Sequence, residues 1–128
     1  MSRWHETDYG AERLHLERLL LAEDYPQMNM IICDDGKVRV EGYLGSNNVC
    51  AGSYYVVAEY PDSYPYNRIM VWCPYVHFPP GTPHLYSDDE LCIEHGDFGP
   101  DDTISTVLGW ATEWLAMYEN YLRTRERW

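Results

Sequence analysis

Tyr60-Pro61-Asp62-Ser63-Tyr64-Pro65-Tyr66 stands in the middle of the chain, between two short apolar segments. Each proline fixes its own φ and removes a backbone N–H donor, so the stretch cannot continue as a central strand. Proline, serine and aspartate also favour turns. The stretch therefore predicts a stiff crossover between two strands, with its aromatic rings packed beneath it.

Four strands are predicted around this crossover, at residues 28–33, 37–43, 53–60 and 69–73. The first two flank Asp34-Asp35-Gly36, a combination typical of a hairpin turn. Val38 and Val40 alternate with Arg39 and Glu41, as the two faces of a half-buried strand require. Short strands connected in this way predict an antiparallel meander.

A helix is predicted before the strands, at residues 9–23. Its leucines surround much of the circumference, because one face carries Leu16, Leu19 and Leu20 and another carries Leu14 and Leu21. Asp24-Tyr25-Pro26 ends this helix, since the residue before a proline disfavours the helical conformation.

The last predicted element is a long helix at residues 103–123, with Asp102 or Thr103 as the side-chain cap of its first turn. The stripe expected to face the core comprises Ile104, Val107, Leu108, Ala111, Leu115, Tyr118 and Leu122. A second stripe beside it comprises Trp110, Trp114, Met117 and Tyr121. Either both stripes lie in a groove of the same domain, or the tryptophan edge docks a partner or forms a homodimer with a second copy.

Helices on both sides of an antiparallel meander predict an α+β fold for a single domain over residues 1–128. Residues 74–100 form a long irregular stretch in which only residues 90–94 have an ordered pattern. Long loops within compact domains are usually functional. We expect an ordered functional loop here, with Asp88-Asp89-Glu90 as a solvated part of it.

The charge of the chain limits its partners. The sequence has 9 Lys+Arg against 21 Asp+Glu, for a formal net charge of −12. This charge argues against binding to nucleic acid or to an anionic membrane, and it fits partners with basic or lysine-bearing surfaces. No segment has the length and purity of a membrane span or the pattern of a signal peptide, so we expect a cytoplasmic protein.

The four cysteines are Cys33, Cys50, Cys73 and Cys92. None forms a C-x-x-C pair, and the histidines and acids have no recognisable ligand spacing, so we expect no metal site and no cofactor. In a reducing compartment disulfides are also disfavoured. We expect the first three cysteines to be small buried hydrophobes. Cys92, in an acidic and proline-rich loop, is expected to be chemical rather than structural.

Three blocks of sequence resemble the ubiquitin-conjugating-enzyme-like (UBC) family. The crossover resembles the family's aromatic-Pro-x-x-Tyr-Pro-aromatic signature, and Leu91-Cys92-Ile93 resembles its hydrophobic-Cys-hydrophobic active-site segment. Pro100-Asp101-Asp102-Thr103-Ile104-Ser105-Thr106-Val107-Leu108 is similar to the family's Pro-x-x-Thr-Ile-Ser-x-Val-Leu helix start. The resemblance covers nearly the whole chain. It implies a UBC fold with an N-terminal helix, a four-stranded meander, an active-site loop and one long C-terminal helix.

The resemblance also implies a chemistry, in which Cys92 holds the C-terminus of a modifier or partner protein as a thioester and passes it to a lysine. The family's His-Pro-Asn tripeptide is replaced by Thr82-Pro83-His84, and His84 keeps the position of the family's Asn relative to the cysteine. His84 either donates to the oxyanion or orders the loop by binding backbone carbonyls. Tyr86 is a substrate-binding candidate beside it. The carboxylates that are candidates to orient the amine are Glu94, Asp97, Asp101 and Asp102.

Compact members with a histidine at this position resemble bacterial proteins that accompany antiphage systems, including CBASS operons. The resemblance therefore implies a role in antiphage defence, with a nucleotide cyclase as a candidate partner and an activating enzyme or its equivalent as another. Two alternatives stay open. One is a catalytically inactive binding module or scaffold of the same fold, and the other is a Cys/His hydrolase, for which no protease signature is present.

Overall fold

The order of helices and strands follows the prediction. The computed structural model describes residues 3–94 and 98–128. A short 3₁₀ helix, Trp4–Glu6, comes first and has no counterpart in the prediction. The remaining elements are α1 (Asp8–Asp24), β1 (Asn29–Ile32), β2 (Val38–Gly45), β3 (Ser53–Glu59), β4 (Met70–Trp72) and α2 (Ile104–Thr124). This arrangement confirms the α+β fold with a long loop between the last strand and the last helix.

The strands form one antiparallel sheet in the order β1-β2-β3-β4, which confirms the meander. Val40 pairs with Ala58 across β2 and β3, and Ala58 pairs with Val71 across β3 and β4. All three side chains are fully buried, so they form a continuous row on the inner face of the sheet. The hairpin turns at Gly36, whose φ of 83° is a value that glycine adopts without steric cost.

The predicted core stripe of α2 is buried with one exception. Ile104, Leu108 and Leu115 are completely inaccessible to solvent, whereas Leu122 is 38% exposed. The prediction for Leu122 is therefore wrong, and the reason is that it faces a shallow depression shared with the polar residues Asn120 and Arg123. Within residues 3–94 and 98–128, no helix is long and apolar enough to cross a membrane.

α1 buries the face that carries Leu14 and Leu21, together with Glu17, rather than the face of Leu16 and Leu19. Leu16 and Leu19 are 44% and 55% exposed, whereas Glu17 and Leu21 are buried. Leucines that surround most of a helix leave the direction of its buried face undetermined. Here the deciding side chain is a carboxylate.

The Glu17 carboxylate connects three segments that are far apart in the sequence. Its Oε1 accepts a hydrogen bond from the Tyr60 hydroxyl at 2.8 Å and another from the Ile104 backbone N–H at 2.9 Å. Its Oε2 receives the Arg13 guanidinium at 3.2 Å. Burial, followed by the charge of Glu17, raises the pKa of Tyr60 well above its ordinary value. The hydroxyl therefore remains a proton donor, and α1, the β3–β4 loop and the start of α2 are held together.

This contact replaces the predicted cap of α2. Thr103 occupies the N-cap position, but its side chain makes no capping hydrogen bond. The Asp102 carboxylate instead accepts from the Gly99 backbone N–H at 2.8 Å. The prediction of a local cap is wrong because Glu17, distant in sequence, supplies the acceptor for the first turn of the helix.

We expect Glu17→Ala to lower the free energy of unfolding by about 3 kcal/mol or more, because it leaves the buried Tyr60 hydroxyl and Ile104 N–H without their acceptor and removes the carboxylate partner of Arg13. Urea denaturation followed by circular dichroism measures this loss. The matched control is Glu23→Ala, an exposed acid on the same helix, for which a change within about 0.5 kcal/mol is expected. Equal losses for the two variants would contradict the structural role of Glu17.

Candidate active site

A narrow loop presents Cys92 opposite His84. The Cys92 backbone N–H donates to the His84 carbonyl at 3.0 Å, and the Tyr86 N–H donates to the Glu90 carbonyl at 2.9 Å. The Leu91 N–H donates to the Val71 carbonyl of β4 at 2.9 Å, so the cysteine segment is attached to the edge of the sheet. These backbone bonds fix the position of the cysteine independently of its side chain.

The residues on either side of Cys92 hold its sulfur towards the surface. Leu91 is completely buried and Ile93 is 5% exposed, so both point into the core. In extended backbone, successive side chains point to opposite sides. Cys92 is accordingly half-buried and faces away from the core.

Cys92 lies in the wall of a cavity of about 530 Å³ between this loop and α2. That volume is within the range of small-ligand sites, about 300–1,000 Å³. The lining is mostly apolar and comprises Val49, His84, Cys92, Ile93, Glu94, Trp110, Glu113, Trp114, Ala116, Met117 and Trp128. We call this space the Cys92 groove.

The second apolar stripe of α2 supplies the floor of the Cys92 groove. Trp114 and Tyr121 are buried at 4% and 8% exposure, whereas Met117 remains 41% exposed. The inner part of the stripe therefore packs within the domain. This agrees with the alternative in which both stripes of the last helix lie in a groove of their own domain. The outer part, with Met117 and the 57% exposed Val49, is open to solvent.

The loop that carries Val49 is attached to α2 by Glu119. Its carboxylate accepts from the backbone N–H groups of Ala51 and Gly52 at 3.1 and 2.7 Å, and from the Tyr54 hydroxyl at 2.9 Å. Burial acts to raise the pKa of Glu119, but the hydrogen bonds outweigh it and lower the pKa. The charged carboxylate thus keeps the Val49 side of the groove in place.

Polar groups beside the sulfur form a connected network. Glu94 Oε2 lies 3.8 Å from the Cys92 Sγ and accepts from the Tyr86 hydroxyl at 3.3 Å. The other oxygen, Oε1, lies 3.0 Å from Arg68 Nε. The Cys92 thiol, burial and the Glu94 carboxylate raise the pKa of Tyr86 to about 12. Tyr86 is therefore a neutral hydroxyl at physiological pH.

Arg68 and Glu90 are the members of this network that sequence reasoning missed. The Arg68 guanidinium lies 4.6 Å from the centre of the Tyr86 ring and binds both oxygens of Glu90 at 2.9 and 3.0 Å. Glu90 is 5% exposed, so the expectation of a solvated acidic run is wrong at this residue. In the sequence, Arg68 stands just before β4 and Glu90 just before Leu91. No local pattern indicates that these two residues meet in the fold.

His84 lines the Cys92 groove in an uncommon backbone conformation. Its φ is 57°, a left-handed value in which histidine is enriched among non-glycine residues. Its ring nitrogen Nε2 lies 2.5 Å from the Trp128 carbonyl oxygen. Its own carbonyl accepts from the Trp114 Nε1–H at 3.0 Å as well as from Cys92. The ring thus contacts a backbone carbonyl, as the loop-ordering alternative expects, and remains exposed beside the thiol.

The candidate aspartates are not brought together at the sulfur. Neither Asp101 nor Asp102 lines the Cys92 groove; Asp101 is exposed, and the Asp102 carboxylate binds Gly99. Asp97 lies outside the described residues. Among the described residues, Glu94 and Glu113 are the carboxylates that line the groove, and Glu94 is the one with an oxygen 3.8 Å from the Cys92 sulfur.

The other cysteines differ from Cys92 in burial. Cys50 and Cys73 are buried as predicted, and burial raises their pKa values to about 11 and about 12, respectively. Cys33 is half-buried, so the prediction of a buried side chain is wrong; it lies just beyond β1, where it enters the hairpin turn. In the part of the chain that the structure describes, no three His, Cys, Asp or Glu side chains form a metal-binding group.

Comparisons with known proteins agree with this geometry. The profile of the family described as "Type II CBASS E2 protein" matches residues 17–128. A crystal structure of ubiquitin conjugating enzyme E2 from Plasmodium falciparum is similar, with 20% identity and a TM-score of 0.56 over 82% of this chain and 96% of that chain. The Vps23 UEV, solved in a complex with ubiquitin, has 15% identity and a TM-score of 0.59 over 84% of this chain and 83% of that chain. A comparison with curated proteins gives no match.

Proposed function

The chain belongs to the family of Type II CBASS E2 proteins, and from this premise we propose that Cys92 is the acyl carrier of a cysteine-thioester transferase. The family and the UBC fold give the chain a ubiquitin-conjugating-like role in CBASS antiphage defence. The observation that carries the proposal is the half-buried Cys92 thiol in the wall of an apolar groove of about 530 Å³.

In the first step the donor chain is loaded onto Cys92. The Cys92 thiolate attacks the activated C-terminal carbonyl carbon of the donor, a C–S bond forms, and the group that activated the carboxyl leaves. The thiol proton passes to solvent or to that leaving group. An ordinary thiol, with a pKa of about 8.5, provides a few per cent thiolate at neutral pH. Exchange between thiols and thioesters therefore needs no dedicated base.

In the second step an amine takes the acyl group. The neutral amine nitrogen attacks the thioester carbonyl, a C–N bond forms, the C–S bond breaks, the Cys92 thiolate departs, and the proton lost by the amine passes to that thiolate or to solvent. Glu94 Oε2, beside the sulfur, accepts a hydrogen bond from the incoming amine, and the neutral Tyr86 hydroxyl contacts the same site. The His84 ring, at the groove, donates to the oxyanion that forms in the transition state, either from Nδ1–H or from Nε2–H after Nε2 leaves the Trp128 carbonyl.

The partners follow from this chemistry and from the charge of the chain. The donor is the C-terminus of a modifier protein or of a nucleotide cyclase, loaded by an activating enzyme or its equivalent in the cytoplasm. The acceptor is a lysine-bearing surface, which a chain of net charge −12 attracts.

The decisive experiment incubates the protein with its cognate modifier and activating enzyme, and follows the products on denaturing gels. We expect a covalent adduct that reductant removes, because a thioester exchanges with an added thiol. Cys92→Ala abolishes the adduct. Cys33→Ala, which removes the other half-buried thiol, retains it.

A binding module is the other function that the surface supports, since Val49 and Met117 leave an open apolar edge on the Cys92 groove and the similar Vps23 UEV was solved with ubiquitin. Donor binding without any adduct, unchanged in Cys92→Ala, would overturn the transferase proposal in favour of this module.

Two substitutions at His84 separate oxyanion stabilisation from loop ordering. Glycine and asparagine both tolerate the left-handed backbone at this position, but only asparagine retains a donor. We expect His84→Gly to slow single-turnover discharge of the Cys92 thioester to free lysine about 10- to 100-fold. His84→Asn should recover most of this rate. Equal rates for the two variants would reject a donor role for the side chain.

Glu94→Gln tests the orientation of the amine. The amide keeps the shape of the side chain but loses the charge that attracts an ammonium group, so we expect discharge to lysine to slow about tenfold while loading of Cys92 is unchanged. The matched control is Asp101→Asn, an exposed candidate outside the groove. An equal effect of both substitutions would mean that general surface charge, rather than Glu94, controls the amine.

A further inference from the structure

Residues 125–128 fold back from the end of α2 onto the Cys92 groove. Arg125 has a φ of 61°, and its N–H donates to the Tyr121 carbonyl at 2.7 Å, which reverses the chain. Arg127 Nη1 then donates to the Gly81 carbonyl at 2.6 Å, on the far side of the groove from α2. Two polar contacts therefore fix the course of this segment.

Trp128 is held among aromatic rings at the end of that segment. Its ring centre lies 5.3 Å from Trp114, 6.0 Å from Tyr121 and 5.3 Å from the His84 imidazole. The two tryptophans meet at an interplanar angle of 79°, an edge-to-face contact that favours one orientation of the indole. Trp114 is 4% exposed, so the indole of Trp128 packs on a buried ring, and Trp128 itself is half-buried at the edge of the groove.

Trp128 also lies in the wall that contains the reactive sulfur. It lines the Cys92 groove together with His84 and Cys92 itself, and its carbonyl oxygen contacts the His84 ring. An indole is among the bulkiest and stiffest side chains available for such a wall. A group that approaches the sulfur must therefore fit beside it.

We propose that Trp128 is a specificity-determining residue of the Cys92 groove, whose indole narrows the approach to the sulfur and restricts the reacting chain end to small side chains. This inference rests on the proposed function, because selection among chain ends is useful only if Cys92 carries one. Overpacking a fixed apolar wall is costly, so a bulky group beside the reacting carbonyl is rejected before it reaches the thiol.

The test measures the size selectivity of Cys92 with thiol reagents and needs no donor protein. In a Cys33→Ser background, the rates of Cys92 alkylation by iodoacetamide and by fluorescein maleimide are followed by peptide mass spectrometry. Cys50 and Cys73 are buried, so we expect neither reagent to reach their thiols. We expect Trp128→Ala to raise the rate with the bulky maleimide about fivefold or more. The rate with iodoacetamide should change less than about twofold.

Two variants control for folding and for general loosening of the helix end. Trp128→Phe retains an aromatic ring in the cluster and should give an intermediate ratio of the two rates. Leu122→Ala removes an exposed apolar side chain of α2 that does not line the groove, and it should leave the ratio unchanged. The inference is overturned if the ratio is the same in the parent and in both Trp128 variants, or if Leu122→Ala shifts it equally.

The outcome is independent of thioester formation. If the protein shows this size selectivity but forms no adduct on Cys92, the transferase proposal is rejected and the role of Trp128 in selectivity is supported. If it forms the adduct without size selectivity, the transferase proposal is supported and the role of Trp128 is rejected.

Discussion

The burial of one carboxylate, that of Glu17, is the constraint on which the arrangement of the active site depends. It satisfies the first turn of α2 from outside the helix and ties that turn to the β3–β4 loop through Tyr60. The position of α2 in turn places the Trp114 indole N–H on the His84 carbonyl. The same carbonyl receives the Cys92 N–H. A continuous path of hydrogen bonds and one helix thus leads from α1 to the segment that carries Cys92.

The parts of the fold that sequence analysis predicts are those specified by local patterns. Alternation at Val38 and Val40 defines a strand, and the prolines at residues 60–66 interrupt the meander where the structure has the loop between β3 and β4. The two strands are adjacent and antiparallel, so this segment is a connecting loop rather than the predicted crossover. The irregular loop after β4 is likewise predicted, because proline, glycine, histidine and acidic residues interrupt every periodic pattern there. These features need only neighbours in the sequence.

The features that escaped prediction each depend on a partner far away in the chain. Glu17 is buried because Arg13, Tyr60 and Ile104 converge on it, and no helical pattern identifies a carboxylate as a core residue. Glu90 is buried by Arg68 for the same reason. The groove wall formed by Trp128 requires the chain to reverse direction after α2. Spacing rules describe one element at a time, whereas these contacts join two or three.

The hydrogen bonds that fix Cys92 also determine how freely this site can change during evolution. The cysteine segment is attached through the main-chain carbonyl of residue 84, whereas the imidazole of that residue makes a separate contact with the Trp128 carbonyl. Replacing the imidazole leaves the attachment intact as long as the new residue accepts the left-handed backbone. An exchange of histidine for asparagine or glycine at this point would therefore alter the side chain that faces the groove, and with it the proposed oxyanion donor, while Cys92 stays in register.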